Sequence, residues 1–195
     1  MKRTQPENQG HRLTKGLVAH ASSAVVEPAD MAESMVTEAL RASAARMGLD
    51  DTAALISCIK RGDCTALSYY NHSVARQLAD VLGSLSKDIR AIYAHDYEGA
   101  TPEEAAIEDT PPVPSVHMII WAQRKTRALD ALVETMDRAI GQHHRHVLGL
   151  IGLEPVLDVK VVDDQDVKTR TGYAALLKSI YQPPIQIWQS DPGGL

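Results

Sequence analysis

Phenylalanine does not occur anywhere in these 195 residues. Leucine, isoleucine, valine, methionine and tyrosine must therefore fill whatever core the chain builds. Cysteine is scarce: Cys58 and Cys64 are the two present. Two thiols at that spacing make no disulfide framework, and without a second pair they make no zinc knuckle. They point to reduced thiols in a cytoplasmic protein. No apolar run approaches the roughly 20 residues that a membrane-spanning helix requires. Lys2 and Arg3 are followed by polar residues rather than by the apolar core of a signal peptide. The expectation is a cytoplasmic chain without membrane contact. Positive charge is also short. Twenty Lys and Arg against 25 Asp and Glu leave a net charge of −5, which argues against a nucleic-acid footprint. Neither a glycine-rich phosphate loop nor a nucleophile elbow is present. Ser68, His72 and Ser73 fall on one predicted helix, and closeness in sequence is not triad geometry. Cys64 and His72 lie two helical turns apart, with nothing evident to lower the thiol pKa.

What is there is an apolar fraction of 44%, enough for a globular core, arranged around one stretch. Val116, Met118, Ile119, Ile120 and Trp121 form a short apolar run whose length suits a strand buried on both faces. Pro111, Pro112 and Pro114 before it exclude a helix. From Arg124 the period changes. Leu129, Leu132, Val133, Met136, Ile140 and Val147 recur at the spacing of a helical stripe, with Asp130, Glu134, Asp137 and Arg138 largely off it. Gly149 and Gly152 end that helix. Val156, Leu157, Val159, Val161 and Val162 then read as a second strand. If the two strands are parallel, the helix crosses over one face of the sheet.

Around this unit the chain divides into three expected parts. Residues 1–27 are polar, locally basic and aperiodic, and read as a flexible arm. Residues 28–62 read as a helical extension. Pro28 opens one helix carrying Met31, Met35, Val36, Leu40 and Met47, and Gly48 stops it. Asp50 or Asp51 caps a second helix, with Leu55, Ile56 and Ile59. Residues 63–190 read as an α/β domain. A helix capped by Asp63 or Thr65 carries Leu67, Tyr70, Val74, Leu78, Val81, Leu82 and Leu85, and Ile89 to Ala94 follow as a strand. His95 to Pro114 is an acidic loop. Near the end, Tyr173, Leu176, Leu177, Ile180 and Tyr181 read as one amphipathic helix, and Ile185, Ile187 and Trp188 as an edge strand after Pro183-Pro184. The fold class expected is α/β, with α+β as the alternative: a small mixed sheet of about four strands flanked by helices.

This order of elements resembles the small nucleotidyltransferase domains of the polymerase-β type over about residues 67–164. The resemblance implies a Gly-Ser turn after the first strand, two carboxylates one residue apart on the second, and a third on the next. Three carboxylates are needed because two metal ions must bridge the triphosphate and the attacking hydroxyl. Here the turn falls at His95-Asp96, and the paired acids fall at Ser115 and His117. Asp158 alone matches, and Gly83-Ser84 lies before the first strand rather than after it. The resemblance thus implies a fold that has lost transfer activity.

Two candidate sites follow from the residues. Arg124, Lys125 and Arg127 gather at the start of the long helix, where backbone N–H groups favour an anion. His143 and His146 share a helix face near its end, and with His117 and Asp158 they offer imidazole and carboxylate ligands for zinc or another transition metal. Three functions stay open. The first is a non-catalytic module binding a nucleotide, another small anion or a protein. The second is a divergent nucleotidyltransferase or other metal-dependent enzyme. The third is a structural subunit, a homodimer included, docking through the methionine-bearing first helix. No cofactor is indicated by any motif.

Overall fold

The computed structural model describes residues 27–95, 114–149, 155–181 and 183–190. The arm up to residue 26, Asp96 with the acidic loop, Gly152 and the C-terminal tail lie outside them. Three helices come first: α1 (Pro28–Met47), α2 (Thr52–Lys60) and α3 (Cys64–Leu85). They begin where the capping chemistry places them. Pro28 sits at the start of α1, Asp51 accepts from the Ala54 N–H, and Asp63 accepts from the Ala66 N–H. Gly48 closes α1 in the left-handed conformation, at φ 66°. Then follow β1 (Ile89–Ala94), β2 (Val116–Ala122), α4 (Arg127–Leu148), β3 (Leu157–Asp163), α5 (Asp164–Thr169), a 3₁₀ turn (Gly172–Lys178) and β4 (Ile185–Gln189).

The four strands form one sheet in the order β3-β2-β1-β4. β2 and β3 are parallel and joined through α4, whereas β1 runs antiparallel to both β2 and β4. The sheet is therefore mixed and the class is α/β, with β4 at an edge as its flanking prolines imply.

Side chains alternate across a strand, and the two faces have different fates. Val116, Met118, Ile120 and Ala122 enter the main core with Ala32, Val36 and Ala39 of α1, Tyr70, Val74 and Leu78 of α3, and Met136 and Ile140 of α4. Full burial of a side chain such as Ile120 contributes about 1.5–3 kcal/mol. On the other face Ile119, Val162 and Ala174 form a smaller cluster, with Tyr93, Trp121, Leu176 and Leu177 packed around it. One face of the sheet carries the long helices; among the described residues, the other is covered in part, by α5 and the 3₁₀ turn.

A bulge adjusts β1 to this arrangement. Ile89 pairs with Ala122 but Ala91 pairs with Trp121, so Arg90 is the extra residue. Ile89 and Ile92, three apart, thereby both reach the main core. Arg90 turns away to meet Asp164 through two hydrogen bonds of 2.8 and 2.7 Å.

Two expectations are revised. Residues 28–62 are not an appendage: Met35, Val36, Leu40, Leu55 and Ile59 are buried in the same core as the sheet. Met35 is enclosed, and Met31 and Met47 pack against that core, so the methionine stripe is the core face that such spacing usually makes. The expected C-terminal helix is broken in two. Asp163 and Asp166 form a reciprocal capping box that starts α5, and Arg170 ends it in the left-handed conformation, at φ 56°. The 3₁₀ turn restarts at Gly172, leaving Ile180 and Tyr181 exposed.

Candidate ligand pocket on the less covered face of the sheet

His117 and Asp158 are direct partners across the parallel β2–β3 pair. His117 lies on the face of β2 that also carries Ile119 and Trp121, away from α1, α3 and α4. Asp158 and Lys160 share that face of β3 by the same alternation. The His117 Nδ1–H donates to Asp158 Oδ2 over 3.1 Å. Ser115, two residues before His117 on the same face, places its Oγ 3.2 Å from Nε2. Lys160 holds the second oxygen, Oδ1, at 2.7 Å, and its ammonium lies 5.3 Å from the centre of the Tyr173 ring. The hydrogen bond from Lys160 is the main cause that keeps the Asp158 carboxyl below the usual carboxylate range, and the bond from His117 adds to it. Asp158 in turn raises the Lys160 ammonium above its ordinary pKa. His95, whose backbone N–H donates to the His117 carbonyl, joins from the end of β1.

These groups line a cavity of about 290 Å³ bounded by His95, His117, Met118, Ile119, Asp158, Lys160 and Tyr173. Its volume lies just below the range typical of ligand sites, about 300–1,000 Å³. Asp158 therefore does not point into a closed apolar core. The positions that the nucleotidyltransferase resemblance assigns to its carboxylates lie together, with serine and histidine in two of the three. Asp96, the other residue of the missing turn, is outside the described residues.

The four-residue metal site is not assembled. His143 is half-buried and His146 exposed on α4, which packs on the opposite face of the sheet from His117 and Asp158. Among the described residues no group of three or more His, Cys, Asp or Glu is arranged to hold a metal. Burial is the main cause that keeps His143 below its usual pKa, with His146 adding and Glu33 opposing. The histidine between them turns inward: His144 is fully buried, and its Nε2 lies 2.6 Å from the Tyr70 hydroxyl.

The basic trio fares differently from the expectation too. Lys125 is held at 2.7 Å by Asp166, and Asp163 and Asp130 add to the negative field around it. Asp164, beyond the capping box, is bound by Arg90 and by the Trp121 Nε1–H. The helix itself begins at Arg127 rather than at Arg124, and the Thr126 hydroxyl takes the Leu129 N–H. Arg124 and Arg127 remain exposed, but the ring of carboxylates works against an anion there. Cys58 and Cys64 are both free thiols.

Sequence reasoning missed Lys160 and Tyr173 as members of a site. One signal was available: Asp158 and Lys160 are two apart on a strand and so share a face. Only the β2–β3 register could bring them to His117.

By fold and site, the protein is an α/β domain whose mixed four-stranded sheet carries helices on one face and, on the other, a small cavity lined by both polar and apolar side chains. No protein-family model matches the chain, and neither the curated proteins nor the solved structures include a match. No helix among the described residues is long and apolar enough to cross a membrane.

Proposed function

We propose that the protein is a ligand-binding module, built on a nucleotidyltransferase-like domain that lacks the paired catalytic carboxylates. The observation that carries this reading is the cavity itself. It gathers the His117 imidazole, the Lys160 ammonium as an N–H donor, Asp158 as an acceptor and the Tyr173 ring as a flat apolar wall around one small volume. A pocket with a few convergent polar groups is the general form of a small-molecule site. The chemistry suits a compact ligand with both donors and acceptors and one planar part, such as a nucleobase, a nucleoside or a small nucleotide.

The test is thermal melting against nucleobases, nucleosides and nucleotides, each with and without magnesium, manganese or zinc. A ligand at a hundredfold over its dissociation constant adds about 2.7 kcal/mol, on the order of 5–10 °C for a chain of this length. A metal-independent shift that Tyr173→Ala and Lys160→Met remove supports the module. A shift that requires metal supports an enzyme instead. A flat panel together with a concentration-dependent mass supports a structural subunit or homodimer.

A further inference from the structure

Three side chains of the pocket region stand in an order that binding alone does not require. The Ser115 O–H faces Nε2 of His117 at 3.2 Å, and the opposite ring nitrogen, Nδ1, faces Asp158 at 3.1 Å. Lys160 binds the other Asp158 oxygen and helps keep the carboxyl ionised. An ionised carboxylate can only accept, so in the neutral imidazole Nδ1 carries the proton and Nε2 presents its lone pair to the serine hydroxyl. This is the atom order of a nucleophile, a general base and a group that orients the base. The sheet helps fix it: Ser115 immediately precedes β2 and its Oγ reaches the His117 ring, and Asp158 is the register partner of His117. His117 and Asp158 both line the cavity, and Ser115 meets it through its contact with His117.

We propose that Ser115 is an acyl acceptor activated by His117, with Asp158 as the positioning residue, and that the pocket takes small activated esters. The inference rests on the pocket reading above. In the first step the Ser115 Oγ bonds to the carbonyl carbon while its proton passes to His117 Nε2. The bond from that carbon to the leaving oxygen then breaks, and the proton moves from Nε2 to the departing alcohol or phenol. Water repeats the sequence against the acyl-serine, releasing the carboxylic acid and restoring the hydroxyl. Atoms and charge balance without any oxidant, reductant or metal.

The experiment uses the full chain with p-nitrophenyl acetate, whose leaving group departs with little assistance. The readouts are p-nitrophenol release and the site of the acetyl group by peptide mass spectrometry. The expected result is one acetyl group on Ser115, formed in a burst. Ser115→Ala abolishes the burst, and His117→Gln slows it by roughly 10²–10⁴-fold, the usual contribution of a general base. Asp158→Asn slows it, and Asp158→Glu restores part of the rate, which a merely structural role would not require. Circular dichroism confirms that each variant is folded. Acetyl groups confined to lysines, or a Ser115 rate that His117→Gln leaves unchanged, would overturn the proposal. The melting panel run on the unsubstituted protein, beside the acylation assay, separates the two readings. A ligand shift with no acylation removes the chemistry and leaves the binding module. Acylation with a flat panel does the reverse.

Discussion

The indole of Trp188 lies against the backbone of Gly83. A Cβ added at Gly83 would stand 2.2 Å from a carbon of the Trp188 ring, closer than any real contact allows. Trp188 on β4 packs against the main core, so this approach seats the edge strand beside α3. Glycine costs an exposed helix interior up to about 1 kcal/mol relative to alanine, and here the contact explains it. Gly83→Ala is expected to destabilise the fold by about 1–3 kcal/mol through overpacking. In a Trp188→Ala background the same change should be neutral or stabilising, because only helix propensity remains. Urea denaturation of the four proteins in this double-mutant cycle measures the coupling. Equal effects of Gly83→Ala in both backgrounds would sink the explanation.

Stability should depend on pH through His144. Burial pushes its pKa down to about 4 from an ordinary 6.5, and His143 adds a little. The folded pKa is the lower one, so the unfolded chain binds the proton first as pH falls. The neutral histidine's contribution is complete above pH 6.5 and is lost as pH falls towards 4. The loss is about 3 kcal/mol. Asp158, Asp164 and Asp166 have carboxyls held below their usual range, and they act mainly below this window. Urea titrations at pH 7.5 and 4.5 should show the fall, and the double change Tyr70→Phe/His144→Leu should flatten it. An unchanged slope in that variant would assign the effect elsewhere.

Asp137 holds the start of β3 onto α4. Its Oδ1 accepts from the Val156 N–H at 2.9 Å and from the Leu157 N–H at 2.8 Å. Removing the carboxylate leaves two backbone donors at a partly buried position, so Asp137→Ala should cost about 1–3 kcal/mol. Asp137→Asn keeps a carbonyl acceptor and should cost less. Hydrogen exchange at Leu157 reads the same event locally, with protection falling in Asp137→Ala before the whole domain opens.

The two basic sites should behave differently towards ligand. Lys160 lines the cavity, whereas Lys125 is held by Asp166 among further carboxylates. Lys160→Met is expected to abolish a nucleotide-induced melting shift, and the pair Arg124→Ala/Lys125→Ala to leave it intact. The reverse outcome would move the ligand to the start of α4.

Most of the element map was legible in the residues. Pro28, Gly48, Asp51, Asp63 and Gly149 act within one or two turns of backbone, so their roles follow from local chemistry. The stripe through Met136 and Ile140 gave α4 its buried face. Local rules failed where a distant partner decided. His144 stands between His143 and His146 in sequence, yet Tyr70, 74 positions earlier, draws it inside. Asp137 looked like a solvated helix residue, yet it binds the start of β3.

The sequence by itself determined the α/β class, the strand pattern and the helix limits, because period, caps and breakers operate over a few residues. It also placed Ser115 and His117 on one face of a strand, since alternation is a property of extended backbone. Tertiary structure decided the rest of the site. The register of β2 on β3 set Asp158 beside His117, and the sheet kept His143 and His146 on its other side. Those outcomes depend on which way each face of the sheet is buried. That is fixed by helices far away in sequence, and no local pattern encodes it.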